Sequence, residues 1–218
     1  MYRPKAFQVD DPAMLYRFIA EHPLSTFVTT DALGTIATSQ LPLLRSEWEG
    51  ATTLIGHLAR ANPQWQQHPH PGAQAVALFV AARAYISPAW YASAREAGRV
   101  VPTFDYIAVE ARGNVRFVHD EPTLHAFVSA LTAQEEARIG GAWSPRTLAP
   151  EFLSSQLRAI VGVELQVSQI VGSFKLSQNR SYDDIAGVVA GLRALGDPQS
   201  HCMADLIASS EPPREPRP

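Results

Sequence analysis

The sequence predicts an α+β fold, a mainly antiparallel sheet or small barrel with helices at its periphery. Three observations lead there. Strand-like segments come mostly as adjacent pairs joined at turn signals, whereas a doubly wound parallel sheet would alternate strand and helix. The stretch "VGVELQVSQ" (161–169) alternates strictly, with Val161, Val163, Leu165 and Val167 on one face and polar residues mainly on the other. The stretch "AVALFVAA" (75–82) is a continuous apolar run, as expected of a strand covered on both faces, and is far too short to span a bilayer.

The elements follow in chain order. "DDPAMLYRFIAEHP" places Asp11 as a helix cap and Pro12 in the first turn, with Leu15, Phe18 and Ile19 at helical spacing. "STFVTT" and "TIATSQLPLL", separated by "DALG", read as a hairpin whose second strand Pro42 marks as an edge or a bulge. "ATTLIGHL" is a third strand. "RANPQW" enters a short helix with Asn62 as cap and Pro63 in its first turn. "AQAVALFVAARAYIS" is the buried strand. "FDYIAVEAR" and "VRFVHD" read as a hairpin turning at Gly113-Asn114. Leu124, Phe127, Val128 and Leu131 mark a helix. Ile185, Val188, Val189 and Leu192 mark another, which Gly196 ends with Pro198 beyond. Met203, Leu206 and Ile207 close the fold. One domain over residues 1–208 is expected, with a charged, proline-rich tail (209–218) left disordered.

Composition narrows the function. Of 218 residues, 46% are hydrophobic and 18% charged, enough for a substantial core, and the net charge of −3 argues against a general nucleic-acid binder. A single cysteine, Cys202, permits no intrachain disulfide, which favours a reducing cytoplasm. Its surroundings, "SHCMADL", read as a helix face with a packed thiol. The polar N-terminus carries no apolar signal core. Phosphate-loop, dinucleotide, nucleophile-elbow and zinc-helix motifs are absent, and no metal site is predicted. His68 and His70 in "HPHPG" read as a solvated proline-rich loop before they read as metal ligands.

Two segments carry chemistry. In "GHLARANPQW", a strand runs into a helix start. Exposed N–H groups there suit a phosphate, and Arg60 adds fixed charge and paired donors. A capped helix with a surface arginine explains the same residues equally well. Tyr85, Trp90, Tyr91, Phe104 and Tyr106, interleaved with Ser87, Ser93, Arg95 and Thr103, are either a satellite core or a wall for a planar ligand.

Taken together, "GHLARANPQW", "AYISPAWY", "VVPTFDY", "AIVGVELQ" and "KLSQNR" resemble the PaiB family of FMN-binding negative transcriptional regulators. The resemblance runs from "MYRPKAF" to about residue 207. It implies a split β-barrel related to the pyridoxamine-phosphate oxidases, a homodimer, and FMN held at the subunit interface. It further implies a phosphate grip from His57, Arg60, Asn62 and Gln64, with the neighbouring Leu58 and Ala59. Thr38, Ser39 and Gln40 would face the flavin or its ribityl chain. Tyr85 and Ser87 would reach across the dimer, and Lys175, Ser177, Gln178 and Arg180 would close the site. The chain departs from the family pattern at Gln40, at Phe104-Asp105, and at Ser173-Phe174. Asp105 is expected to bring a negative charge near a phosphate or flavin, and Ser173 to remove a positive one.

The resemblance implies an FMN-binding regulator. The other readings are a flavin-dependent oxidoreductase, a haem-binding split barrel using His57 or His119, and a scaffold without cofactor. Direct DNA contact has little support, since the helix bearing Ile185 and Leu192 offers Arg193 as its one base.

Overall fold

The computed structural model describes residues 1–48, 51–67, 73–94, 98 and 100–210. His68, His70 and Arg95, and the tail beyond Ser210, lie outside these. The described strands are β1 (Gln8–Val9), β2 (Leu24–Thr30), β3 (Ile36–Pro42), β4 (Leu44–Trp48), β5 (Ala51–Ala59), β6 (Gln74–Ile86), β7 (Thr103–Val118) and β8 (Ile160–Lys175). The described helices are α1 (Pro12–Glu21), α2 (Glu121–Ile139), α3 (Pro150–Arg158), α4 (Tyr182–Ala194) and α5 (Pro198–Ser209). The strands form one sheet in the order β3-β2-β6-β7-β8-β5-β4, with β1 added on β8. The pairings of β1–β8, β2–β3, β2–β6, β4–β5 and β5–β8 are all antiparallel.

The expected α+β, mainly antiparallel class is therefore what the chain adopts, and some details differ from the sequence reading. Gly113-Asn114 is not a hairpin turn: β7 runs straight through it for 16 residues. A Cβ at Gly113 would lie 1.8 Å from the Gln166 carbonyl oxygen of β8, so close passage of a neighbouring backbone demands glycine there. Pro42 ends β3, which is the edge of the strand path, and β4 then begins a hairpin of its own with β5. Helix α3 lies in a stretch for which the sequence reading predicted no helix.

The chain comprises two compact units. The central unit is Pro12–Phe79 with Glu110–Ile170; the terminal unit is Met1–Asp11, Val80–Val109 and Val171–Pro218. In the central unit, β8 is covered on both faces from Val161 to Leu165, with Val161, Val163 and Leu165 on one face and Gly162 and Glu164 on the other, and Phe27, Leu41 and Leu54 are buried as well. Ile55, Val118 and Phe127 form a packed cluster with Leu44 beside it. A Cβ on Gly162 would meet Leu124, Val118 and Phe127, which shows how closely α2 lies on that strand. In the terminal unit, α4 and α5 pack on one another and bury Val188, Leu192, Met203 and Ile207. Gly191 of α4 admits Trp90, whose ring would lie 2.3 Å from an added Cβ. Cys202 is exposed, so the packed thiol expected from its helical context is not found; it occupies the outer face of α5.

Candidate functional site

The residues singled out in sequence fall into two groups, one in each unit. In the central unit, β5 ends at Ala59 and the chain passes Arg60 before a 3-10 turn at Pro63–Gln66. The Arg60 backbone N–H donates to Ala159 O at 2.8 Å. Its guanidinium donates through Nε to Arg158 O at 2.6 Å and through Nη2 to Ile160 O at 2.7 Å. The carbonyls leaving the C-terminal end of α3 thus hold the fork in place. Nη1 lies 3.5 Å from His119 Nδ1. Among the described residues, no carboxylate is within ion-pairing distance of this guanidinium. Arg60 is therefore fixed in direction and keeps its charge.

The turn after it is held by a polar network. Asn62 caps the turn as its sequence predicts, accepting from Gln64 N at 3.0 Å. Asn62 Nδ2 donates to Ser39 Oγ at 2.7 Å, and Ser39 Oγ donates to Gln64 Oε1 at 2.5 Å. Gln64 Nε2 donates to Thr29 Oγ1 at 3.0 Å and to Ala37 O at 3.3 Å. Gln64 is buried with both ends of its amide engaged, so it secures the turn against β2 and β3. Strand alternation sends Thr38 and Gln40 to the other side of β3, where Gln40 Nε2 donates to Thr26 Oγ1 at 2.8 Å. Of the three β3 candidates, Ser39 alone joins the network. His57 pairs in register with Gly162, and its Nδ1 is buried without a hydrogen-bond partner. Burial pushes its pKa below the ordinary histidine value.

In the terminal unit, Lys175 Nζ donates to Thr103 Oγ1 at 2.5 Å, Phe104 O at 2.5 Å and Asp105 Oδ1 at 3.0 Å. Three donors meet three acceptors. Asp105, 0% exposed, also accepts from Ser177 Oγ at 2.5 Å. Its negative charge is thus paired within the chain. Ser177 adopts φ 59°, the left-handed region that an L-residue holds only when its surroundings fix it. Gln178 braces the same bend, accepting from Leu176 N at 2.7 Å and donating to Phe174 O at 2.5 Å. Arg180 lies over the Tyr91 ring, 4.5 Å from its centroid. Burial raises the Tyr91 pKa, and the nearby Arg180 charge opposes that shift. Tyr85, 49% exposed, meets Phe104 edge-on at 5.7 Å. Ser87 caps the turn Pro88–Trp90 through Ala89 N at 3.3 Å. Ser173 is buried, with an unpartnered Oγ.

Two participants were outside the sequence-predicted set. Thr29 carried no signal beyond its strand. His119, considered earlier as an iron ligand, stands beside Arg60 although 59 residues separate them.

The donor set gives a direct test for FMN. A phosphate needs an oriented, un-neutralised cation with N–H groups to offer, and Arg60 meets that requirement. Lys175 differs in that its donors are directed to a carboxylate and two other oxygens.

Comparison with known proteins agrees with this chemistry. Residues 1–169 match the family described as "Putative FMN-binding domain". The chain is 32% identical over 208 residues to the protease synthase and sporulation protein PAI 2 of Bacillus subtilis, covering 95% of this chain and 96% of that one. It is 24% identical over 229 residues to the uncharacterized protein AN0679 of Emericella nidulans, covering 89% and 91%. Among solved structures, the FAD and heme binding protein of Mycobacterium smegmatis superposes with a TM-score of 0.56 at 16% identity, covering 77% of this chain and 73% of that one. The flavocytochrome Anf3 of Azotobacter vinelandii gives 0.54 at 12%, covering 80% and 72%. These superpositions show the split-barrel fold, and the family match supports FMN as the cofactor. By its family match and its full-length relative, the chain belongs to the FMN-binding split-barrel family that includes PaiB.

Proposed function

We propose that this protein is an FMN-binding regulator of the PaiB type, working as a cytoplasmic homodimer, with Arg60 as the phosphate anchor. The observation that carries the reading is the Arg60 guanidinium, held by two carbonyls and neutralised by no carboxylate among the described residues. Ser39, Asn62 and Gln64 support the turn beside it. Bound FMN would supply the redox chemistry of its isoalloxazine ring. The protein's part is to orient the ligand and fix its phosphate.

Regulation is inferred from the family and from a relative named for protease synthesis and sporulation. Direct reading of DNA is not part of the proposal, because Arg193 of α4 is paired with Asp205 at 3.0 Å. A homodimer is supported by the exposed aromatic pair Tyr85 and Phe104, which a second copy would cover.

The decisive experiment is a visible absorption spectrum of the purified protein, with any released cofactor identified by mass. A colourless protein that FMN cannot titrate would end the flavin reading. Light scattering across a concentration series tests the dimer. A salt-dependent gel-shift assay tests DNA binding and is expected to show no specific retention.

A further inference from the structure

We infer that His119 is a second phosphate contact beside Arg60, and so a residue that makes the site prefer the phosphorylated flavin to riboflavin; this rests on the FMN reading above. Two contacts place the imidazole, and a third joins the residues that make them. Its Nδ1 faces Arg60 Nη1 at 3.5 Å. Its ring meets Trp65 edge-on, with centroids 5.2 Å apart and planes at 68°. Trp65 in turn donates from Nε1 to Arg60 O at 3.0 Å. Arginine, indole and imidazole form a closed triangle within the central unit, and the imidazole is exposed.

The charges around the triangle make the pairing informative. A guanidinium can only donate, so the Arg60 Nη1–H faces the Nδ1 lone pair and the ring keeps its Nε2–H to offer elsewhere. The neighbouring carboxylates are turned elsewhere. Asp120 caps α2 by accepting from Thr123 N at 2.9 Å, and Glu121 accepts from Ser154 Oγ at 3.1 Å. Arg158 donates from its side chain to Ser154 Oγ at 2.5 Å, and Arg116 pairs with Glu164. A phosphate reached by both Arg60 and the His119 Nε2–H would receive two donors on one anion.

The test measures FMN and riboflavin binding by flavin fluorescence for the wild type, His119→Ala, His119→Gln and Arg60→Ala. Because the imidazole is exposed, the His119 variants are expected to keep the wild-type unfolding curve. His119→Ala should weaken FMN by roughly threefold to tenfold, the scale of one ordinary hydrogen bond at an exposed side chain, and leave riboflavin unchanged. His119→Gln, with an amide donor near the Nε2 position, should recover part of that loss. Wild-type FMN affinity in His119→Ala, with Arg60→Ala still weakened, would overturn the His119 assignment and leave the anchor standing. Equal loss of FMN and riboflavin in His119→Ala would also overturn it. A wild type that binds neither flavin would remove the FMN reading and this inference with it.

Discussion

Arg60 and Lys175 are each held by a cage of oxygen acceptors, and they end with opposite consequences for a ligand. The acceptors of Arg60 are the carbonyls of Arg158 and Ile160, which fix its direction and leave its charge whole. Those of Lys175 include the Asp105 carboxylate, which cancels it. A side chain can thus belong to a polar, conspicuous motif and be committed to its own fold. Counting cations in a sequence does not count the charge available to a ligand. The kind of oxygen around each one decides that.

Removing the cancelling carboxylate should give the largest effect. Asp105→Ala leaves Lys175 and Ser177 without their shared partner in a buried setting, and should destabilise the protein by about 3 kcal/mol in urea unfolding. A loss under half that size would show that water or another group replaces the carboxylate. Arg60→Ala should weaken FMN more than tenfold, equivalent to a charge-assisted contact of about 1.5–3 kcal/mol, while the folded circular-dichroism spectrum persists. Unchanged affinity would mean the phosphate sits elsewhere. Arg60→Lys sharpens the contrast. It keeps the charge but not the planar fork that reaches two carbonyls, so its FMN affinity should fall between wild type and alanine.

The smallest expected effect concerns His57. Its folded-state pKa lies below the unfolded value because burial disfavours the charged ring. Below the ordinary histidine pKa, the unfolded chain binds more protons than the folded one. This contribution is therefore fully present at pH above the unfolded pKa and is lost as pH falls through it toward the folded value. The urea midpoint of the wild type should drop between about pH 7.5 and pH 5 more steeply than that of His57→Gln. Parallel pH profiles would show that His57 makes no such contribution.

Local features were readable because their causes are local. The asparagine and proline of "RANPQW" specify a cap and a first turn, and the period-two alternation of 161–167 specifies a strand, though both of its faces are buried from Val161 to Leu165. Gly196, at φ +75°, follows α4 where sequence placed its stop. Pairings across long separations were not readable. Asp105 and Lys175 are 70 residues apart, and Arg60 meets carbonyls 98 and 100 residues away. No periodicity carries that information, so the polar block ending at Arg180 could not be divided in advance into residues that brace a bend and residues that face outward. The counter-ion of Asp105, Lys175, comes from a different strand and was equally illegible. The missed helix α3 follows Ala149, which offers no side-chain cap to announce it.

Gly113 has a bearing on how this chain can be engineered. A Gly-Asn pair flanked by strand-like residues invites the insertion of a tag, a reporter peptide or a circular-permutation break. Here that position is the middle of β7, with the Gln166 carbonyl where any side chain would begin. An insertion would shift the register of every β7 residue beyond it, and one of odd length would also exchange inward and outward faces. The stretch around Asp31–Gly34, where Gly34 takes φ +82° with nothing near its missing Cβ, is the better place to cut.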